Sequence, residues 1–254
     1  MAGPAEDMKD ARRRWTPLYV GPYVASPVED EDGLKACLAL RREVFRKGQA
    51  EDRDRFDDFS CHVLLTDWRD DRPVACFRYR VLSARDLSRS YTAQFYDLTA
   101  LAGQVGQMAD LGRIAVTQGA GRGDPDLLRL LLAALTRIAL AERVRRIFGC
   151  SSFAGADVAR HAPALAWLRA HQRLPIAVAA WQAEDRPAAL PDGSKVPPLL
   201  RSYLAMGAQV ADEPVVDHAL DTVHVFTALD LALIPQPRAR SLVRLTRLAS
   251  QGAT

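Results

Sequence analysis

The stretch Gln107-Met108-Ala109-Asp110-Leu111-Gly112-Arg113-Ile114-Ala115-Val116-Thr117 and its continuation Gln118-Gly119-Ala120-Gly121-Arg122-Gly123-Asp124-Pro125-Asp126 decide the architecture. Met108, Leu111, Ile114 and Val116 make residues 107–117 a strand. Gln118 to Gly123 reads as a Gly-rich loop. Asp124-Pro125-Asp126 then opens a helix. Asp124 offers an N-cap oxygen, Pro125 suits the first helical position, and Asp126 lies near the positive end of the dipole. Its apolar face runs through Leu127, Leu131, Leu135 and Ile138, and Arg146 to Phe153 reads as the next strand. The result is a strand, helix, strand unit.

Outward from this unit, Leu18-Tyr19-Val20 reads as a strand ended by Gly21-Pro22, and Asp30 to Gly33 as a helix start. Helical periodicity follows through Leu34, Cys37, Leu38, Leu40, Arg41, Val44 and Phe45. Residues Glu51 to Asp58 are too polar for a core, and His62–Thr66 with Val74–Leu82 reads as a hairpin. Downstream come a helix over Pro163–Ala170 with proline in its first turn, a loop over 187–198 and a strand over Val223–Leu231. This order predicts one α/β (α+β) domain of three layers. It spans 18–234, with an N-terminal arm over 1–17 and a basic amphipathic tail over 235–254.

A chain of 254 residues that is 48% hydrophobic supports a sizeable core and is too apolar for disorder. Its 34 basic and 31 acidic residues leave a net charge of +3, which excludes a purely electrostatic nucleic-acid binder; no nucleic acid is expected as partner. Cys37, Cys61, Cys76 and Cys150 have no CxxC spacing, and with five scattered histidines they give no zinc signature. No metal is expected. No apolar run reaches the roughly 20 residues of a membrane span; Leu127–Ala141 is interrupted by Arg129 and Arg137. The N-terminus shows no export signal. The expectation is a cytoplasmic protein whose membrane contact, if any, is peripheral.

Four constellations carry potential chemistry. Arg41 and Phe45 lie one helical turn apart, followed by Asp54 and Asp57; the spacing alone favours a solvated charge run. Asp110 and Arg113 sit within an apolar strand, either as a buried ion pair or as a base beside an orienting cation. Gln118, Gly121, Arg122 and Gly123 form a Q-x-x-G-x-G pattern before a helix, which suits phosphate, although Asp124 and Asp126 can satisfy the same N–H groups. Last, Ser151, Ser152 and Phe153 end a strand after Cys150, where small polar residues can line a cleft.

In order and separation these pieces resemble the ornithine lipid N-acyltransferases, in the branch of the GNAT superfamily shared with autoinducer (acyl-homoserine-lactone) synthases. The resemblance runs from about Leu18 to Leu231 and rests on Leu40-Arg41-Arg42-Glu43-Val44-Phe45, Asp54-Arg55-Phe56-Asp57, Val74-Ala75-Cys76-Phe77-Arg78, Asp110-Leu111-Gly112-Arg113, Asp124-Pro125-Asp126, Gly149-Cys150-Ser151-Ser152-Phe153 and the segment from Pro198 to Ala208.

The resemblance implies a GNAT-like three-layer α/β/α fold around a mixed, mostly antiparallel twisted sheet. It implies transfer of a 3-hydroxyacyl chain from acyl carrier protein to the α-amine of ornithine, with the 4'-phosphopantetheine thioester as co-substrate and no bound cofactor. Glutamine as acceptor, autoinducer synthesis, and a non-catalytic binder of carrier protein or membrane remain the alternatives. Arg41, Phe45, Asp54, Asp57 and Arg78 match positions that shape the amine pocket and support the loop over it. Asp110 and Arg113 match an E-x-x-R pattern with Asp in place of Glu. On this basis Asp110 is expected to take the amine proton, directly or through water. Asp54 and Asp57 are expected to hold the ornithine side-chain cation, and Arg113 or Arg78 its carboxylate. Backbone N–H groups after Val116 would polarise the thioester carbonyl, and Gly121–Gly123 would receive the pantetheine phosphate. Arg122, Arg129, Arg143, Arg145 and Arg146 are the candidate face for an acidic carrier protein, and the tail from Arg238 to Leu248 either lies on an anionic membrane at the inner face or packs on its own domain.

Overall fold

The structure, a computed structural model, describes residues 15–117 and 123–252. By contact density the chain divides into two compact units. The first comprises the chain up to Arg80, Leu111–Arg143 and Gln236 onward; the second comprises Val81–Asp110 and Val144–Pro235.

In the first unit β1 (Leu18–Val20), β2 (Tyr23–Pro27), β3 (Cys61–Asp67) and β4 (Arg72–Leu82) form an antiparallel meander. Gly21 makes the β1–β2 turn at φ +54°, where a side chain would also strike Asp126 at 2.6 Å. Helix α1 (Glu31–Arg46) starts at Asp30, whose carboxylate accepts the Gly33 N–H, and ends at Lys47 in the left-handed region. Cys37 and Leu40 of α1 pack on Cys76 of β4 and on Ala115. Alternation sends Leu18, Ala25, Leu65 and Ala75 to the opposite face, and all are buried there. Helix α2 (Pro125–Ala141) contacts β1 and β2, and the C-terminal helix, here α5 (Gln236–Ala249), contacts α2 and β1. Asp124 caps α2 at its Asp126 N–H and also accepts the Tyr23 hydroxyl at 2.8 Å. Leu127, Leu131, Leu135 and Ile138 are all buried, as their spacing predicts.

The strand β5 (Gln107–Val116) begins in the second unit, where Gln107–Asp110 pairs in parallel with β6 (Val144–Ala154). β6 runs antiparallel to β8 (Thr222–Asp230), which runs antiparallel to β7 (Gln209–Asp217). One face of this sheet carries an apolar cluster that includes Met108, Phe148 and Phe226, packed against Leu87, Tyr96, Leu98 and Leu101 from the segment before β5. Helices α3 (Val158–His171) and α4 (Pro198–Leu204) bury Leu165, Leu168, Leu200 and Leu204.

The predicted helix over Pro163–Ala170 is too short by five residues at its start. Asp157 caps the Ala159 N–H at 2.9 Å, and Pro163 stands inside α3. The single backbone hydrogen bond that proline forfeits is outweighed by burial of Ala162, Ala164, Leu165 and Leu168.

Candidate active site

The first unit builds its site on α1, the polar stretch after it, β4 and the far half of β5. The stretch read from spacing as a solvated charge run is instead the most heavily paired ionic cluster among the described residues. Arg41 is 1% exposed. Its Nε donates to Asp52 Oδ2 at 2.9 Å and its Nη1 to Asp57 Oδ1 at 2.6 Å, while Nη2 reaches the Asp52 carbonyl and Asp57 Oδ2. Arg78 donates to Asp54 at 2.6 and 2.8 Å and to Asp57 Oδ1 at 2.7 Å. Arg113 adds ion pairs to Asp52 at 3.0 Å and Asp54 at 3.1 Å, and Arg46 donates to Asp52 at 3.1 Å. The physical reason is complementarity: four forks meet three carboxylates, so each charge that leaves water finds its partners.

This geometry corrects the pairing of Asp57 with a substrate cation. Asp57 has no exposed side-chain surface, and its oxygens accept from Arg41, Arg78 and the Asp54 N–H. Burial alone would raise its carboxyl, but the Arg41 and Arg78 hydrogen bonds and charges hold it well below the usual carboxylate range. Asp57 orders the loop: Asp54 caps the Phe56 N–H at 2.8 Å, and Arg78 lies over the Phe56 ring at 5.8 Å. Of the three acids only Asp54 reaches solvent, with a quarter of its side chain exposed. His62 accompanies the cluster, its Nε2 3.3 Å from the Asp57 carbonyl. Burial, with the Arg41 and Arg78 charges, pushes its imidazole down to about 4 against the pull of Asp57. Counting His62 as neutral, the cluster carries one net positive charge. Phe45 is half-buried against the apolar contact of α1 with β4.

One more expectation needs revision here. The Thr117 N–H, first after Val116, donates to the Val74 carbonyl at 3.0 Å and is not available to polarise a thioester. Gln118, Gly121 and Arg122 lie outside the described residues; Gly123 is exposed, at φ +98° immediately before the Asp124 cap. Arg113 itself adopts φ +53° inside β5, a conformation rare for a non-glycine residue and one that interrupts regular strand geometry there.

The second unit holds Asp110. Its carboxylate is buried and accepts the Tyr91 N–H at 2.6 Å, the Thr92 N–H at 3.4 Å and the Thr92 hydroxyl at 2.6 Å. Cys150 Sγ lies 4.0 Å from the same hydroxyl, packed against the apolar cluster. Ser151, Ser152 and Phe153 do not converge, because consecutive strand residues alternate between faces. The Ser151 hydroxyl accepts from Thr227 at 2.8 Å, Ser152 is exposed opposite His224, and Phe153 is buried beside His161. Asp52, Arg46 and His62 in the first unit, and Thr92, Tyr96 and His224 in the second, join these groups without a motif to announce them. A count of inward-facing charges would have found Asp52, since the three arginines Arg41, Arg78 and Arg113 faced only two acids, Asp54 and Asp57. Among the described residues no group of three or more His, Cys, Asp or Glu side chains is arranged to hold a metal ion.

Comparison with known proteins gives the family and the fold. The family model of the acetyltransferase (GNAT) domain matches residues 40–129. Two solved structures share the fold: an N-acyl amino acid synthase from uncultured soil microbes (TM-score 0.51, 12% identity, 91% of this chain and 98% of that one), and a CoA-dependent acyl-homoserine lactone synthase (TM-score 0.51, 13% identity, 91% and 90%). The L-ornithine N(alpha)-acyltransferase of Rhodobacter capsulatus is 32% identical over 82% of this chain and 90% of its own length. That of Brucella abortus is 27% identical over 78% and 76%, and that of Agrobacterium fabrum 27% over 82% and 74%. With a GNAT-like fold and this degree of identity along most of both chains, the protein is an acyltransferase and belongs to the L-ornithine N(alpha)-acyltransferase family.

Proposed function

We propose that the protein transfers a 3-hydroxyacyl chain from acyl carrier protein to the α-amine of L-ornithine, the first step in making an amino-acid membrane lipid. Identity to the Rhodobacter enzyme over nine-tenths of that enzyme's length carries this reading. In the reaction the amine nitrogen bonds to the thioester carbon, the C–S bond breaks, and the departing thiolate takes up a proton. The amine must first lose one, because a free amino acid is mostly protonated at pH 7. Asp110 serves that loss through water, its orientation fixed by Tyr91 and Thr92. The net positive charge of the arginine–aspartate cluster suits the α-carboxylate of the acceptor at Arg113, and the exposed edge of Asp54 is the candidate for its side-chain ammonium. The loop around Gly123 and the first turn of α2 are the candidate pantetheine phosphate site. The lipid product calls for an anionic membrane nearby. For that contact we place Arg240, Arg244 and Arg247 on the exposed face of α5.

The test is a competition assay with purified protein, 3-hydroxyacyl carrier protein and equimolar ornithine, glutamine and lysine, read by mass spectrometry. Acyl-ornithine is the expected product. Acyl-glutamine would move the head group, and a lactone formed only with S-adenosylmethionine would move the protein to autoinducer synthesis. Asp110→Asn should cut kcat strongly and abolish its rise with pH, while Asp110→Glu restores part of both. An unchanged profile in Asp110→Asn removes the residue from the proton path.

A further inference from the structure

His224 sits in the middle of β8, 2% exposed. Its Nδ1 lies 3.2 Å from the Tyr96 hydroxyl, which also approaches the His224 carbonyl at 3.0 Å and the Glu213 carbonyl at 3.4 Å. Carbonyls only accept, so the one phenolic proton goes to the shortest of these contacts, the His224 carbonyl. Burial pushes the Tyr96 phenol up, so that proton stays in place. The Tyr96 oxygen then accepts from Nδ1–H. With the phenolic proton assigned in this way, Nδ1 carries the imidazole hydrogen and Nε2 is a bare acceptor. Nε2 is buried and has no hydrogen-bond partner among the described residues. A buried acceptor without a donor is costly, and a site built around one discriminates for the group that satisfies it.

The surroundings say which group. Phe95 meets the imidazole edge-on at 4.7 Å between centroids, and Tyr96 and Phe226 belong to the apolar cluster on this face. Burial pushes the imidazole down to about 4, against nearby Asp217, so it stays neutral at working pH. A charged amino-acid head group would lose its hydration here for one neutral acceptor. A hydrocarbon chain bearing a single hydroxyl fits both features. The face also connects to the chemistry: Asp110 and Met108 of β5 share it with Phe148, Cys150 and Ser152 of β6, and Ser152 stands directly opposite His224.

We infer that His224 Nε2 accepts the hydroxyl of the 3-hydroxyacyl chain, and that the Tyr96–His224 pair selects hydroxylated over plain acyl donors. The inference rests on the proposed acyl donor and adds the residues that read its hydroxyl. Tyr96 is a positioning residue in this scheme, acting through the tautomer of His224.

The test compares kcat/KM of the full-length protein for 3-hydroxyhexadecanoyl and hexadecanoyl carrier protein with ornithine as acceptor. The wild type should favour the hydroxylated donor by about tenfold or more. His224→Phe should bring the ratio close to one by losing rate on the hydroxylated donor alone, and Tyr96→Phe should lower it through the tautomer. In wild-type protein labelled with ¹⁵N-histidine, the Nε2 resonance of His224 should move with 3-hydroxyhexadecanoyl pantetheine and stay still with hexadecanoyl pantetheine. That readout holds even where a variant fails to fold. A wild type without preference, a variant that keeps it, or an unmoved resonance each overturns the inference while transfer to ornithine stands. A wild type that transfers neither chain overturns the proposed function, and this inference with it.

Discussion

Replacing Arg41 by lysine keeps the charge and removes the fork. The guanidinium spans Asp52 and Asp57 at the same time with less than 2% of its surface exposed, and a lysine ammonium cannot reach both. One buried carboxylate would then keep only its other arginines, Arg46 and Arg113 at Asp52 or Arg78 at Asp57. Breaking a buried pair costs up to about 3–5 kcal/mol. Arg41→Lys should therefore lower the urea midpoint by an amount close to Arg41→Met, and a value within experimental error of wild type would show the cluster to be dispensable for stability. Activity should fall with it, because Asp54, Phe56 and Asp57 are fixed through the same guanidinium groups. The order Arg41, Asp54, Asp57, Arg78, Arg113 was legible in the sequence, and their mutual pairing was not. Spacing along a chain says which residues share a helix face. It does not say that residues from α1, a loop, β4 and β5 will pair so completely that only Arg46 and Asp54 keep appreciable contact with water.

At the level of elements, the β5–α2–β6 unit was readable because each signal agreed: a short apolar run in the strand, Asp124 and Pro125 at the helix start, and a heptad-like apolar stripe along α2. β7 escaped notice because Pro214 lies inside it, beside an interruption in its pairing with β8. A proline is tolerated where its missing N–H faces away from the partner strand. For α5 the alternatives of membrane contact and self-packing are both partly met. Its Thr246 and Ala249 are buried, with the Thr246 hydroxyl directed to carbonyls of Leu242 and Ala133, and Arg137 of α2 donates to Ser250. The opposite stripe, Arg240, Arg244 and Arg247 beside Leu248, is exposed. Charge reversal of the three arginines to glutamate should leave the melting temperature within a degree or two, since exposed charges contribute little. Co-sedimentation with phosphatidylglycerol vesicles should drop several-fold, with no change on phosphatidylcholine. Equal sedimentation of variant and wild type would take the membrane contact away from this helix.

The molecule as a whole should respond to acid in two stages, because it buries neutral histidines and paired carboxylates together. His62 and His224 each titrate at about 4 in the fold, lowered chiefly by burial, against about 6.5 in an unfolded chain. For a base whose folded value is lowered, stability is full above 6.5 and is lost as pH falls toward 4, since the unfolded chain binds the proton first. Each shift corresponds to on the order of 3 kcal/mol by pH 4. Asp57 works in the next window. Its folded carboxyl is held low by Arg41 and Arg78, so its contribution is present above about 4 and disappears only below that. Urea unfolding between pH 7.5 and 4.5 should thus show a steady loss of stability that begins well above the carboxylate range. His62→Gln should halve the slope, and His62→Gln with His224→Gln should flatten it, leaving only the acid limb below pH 4. A double variant that loses stability as steeply as wild type between pH 6.5 and 4.5 would mean that neither histidine is held neutral, and the tautomer on which acyl selection at His224 depends would lose its basis as well.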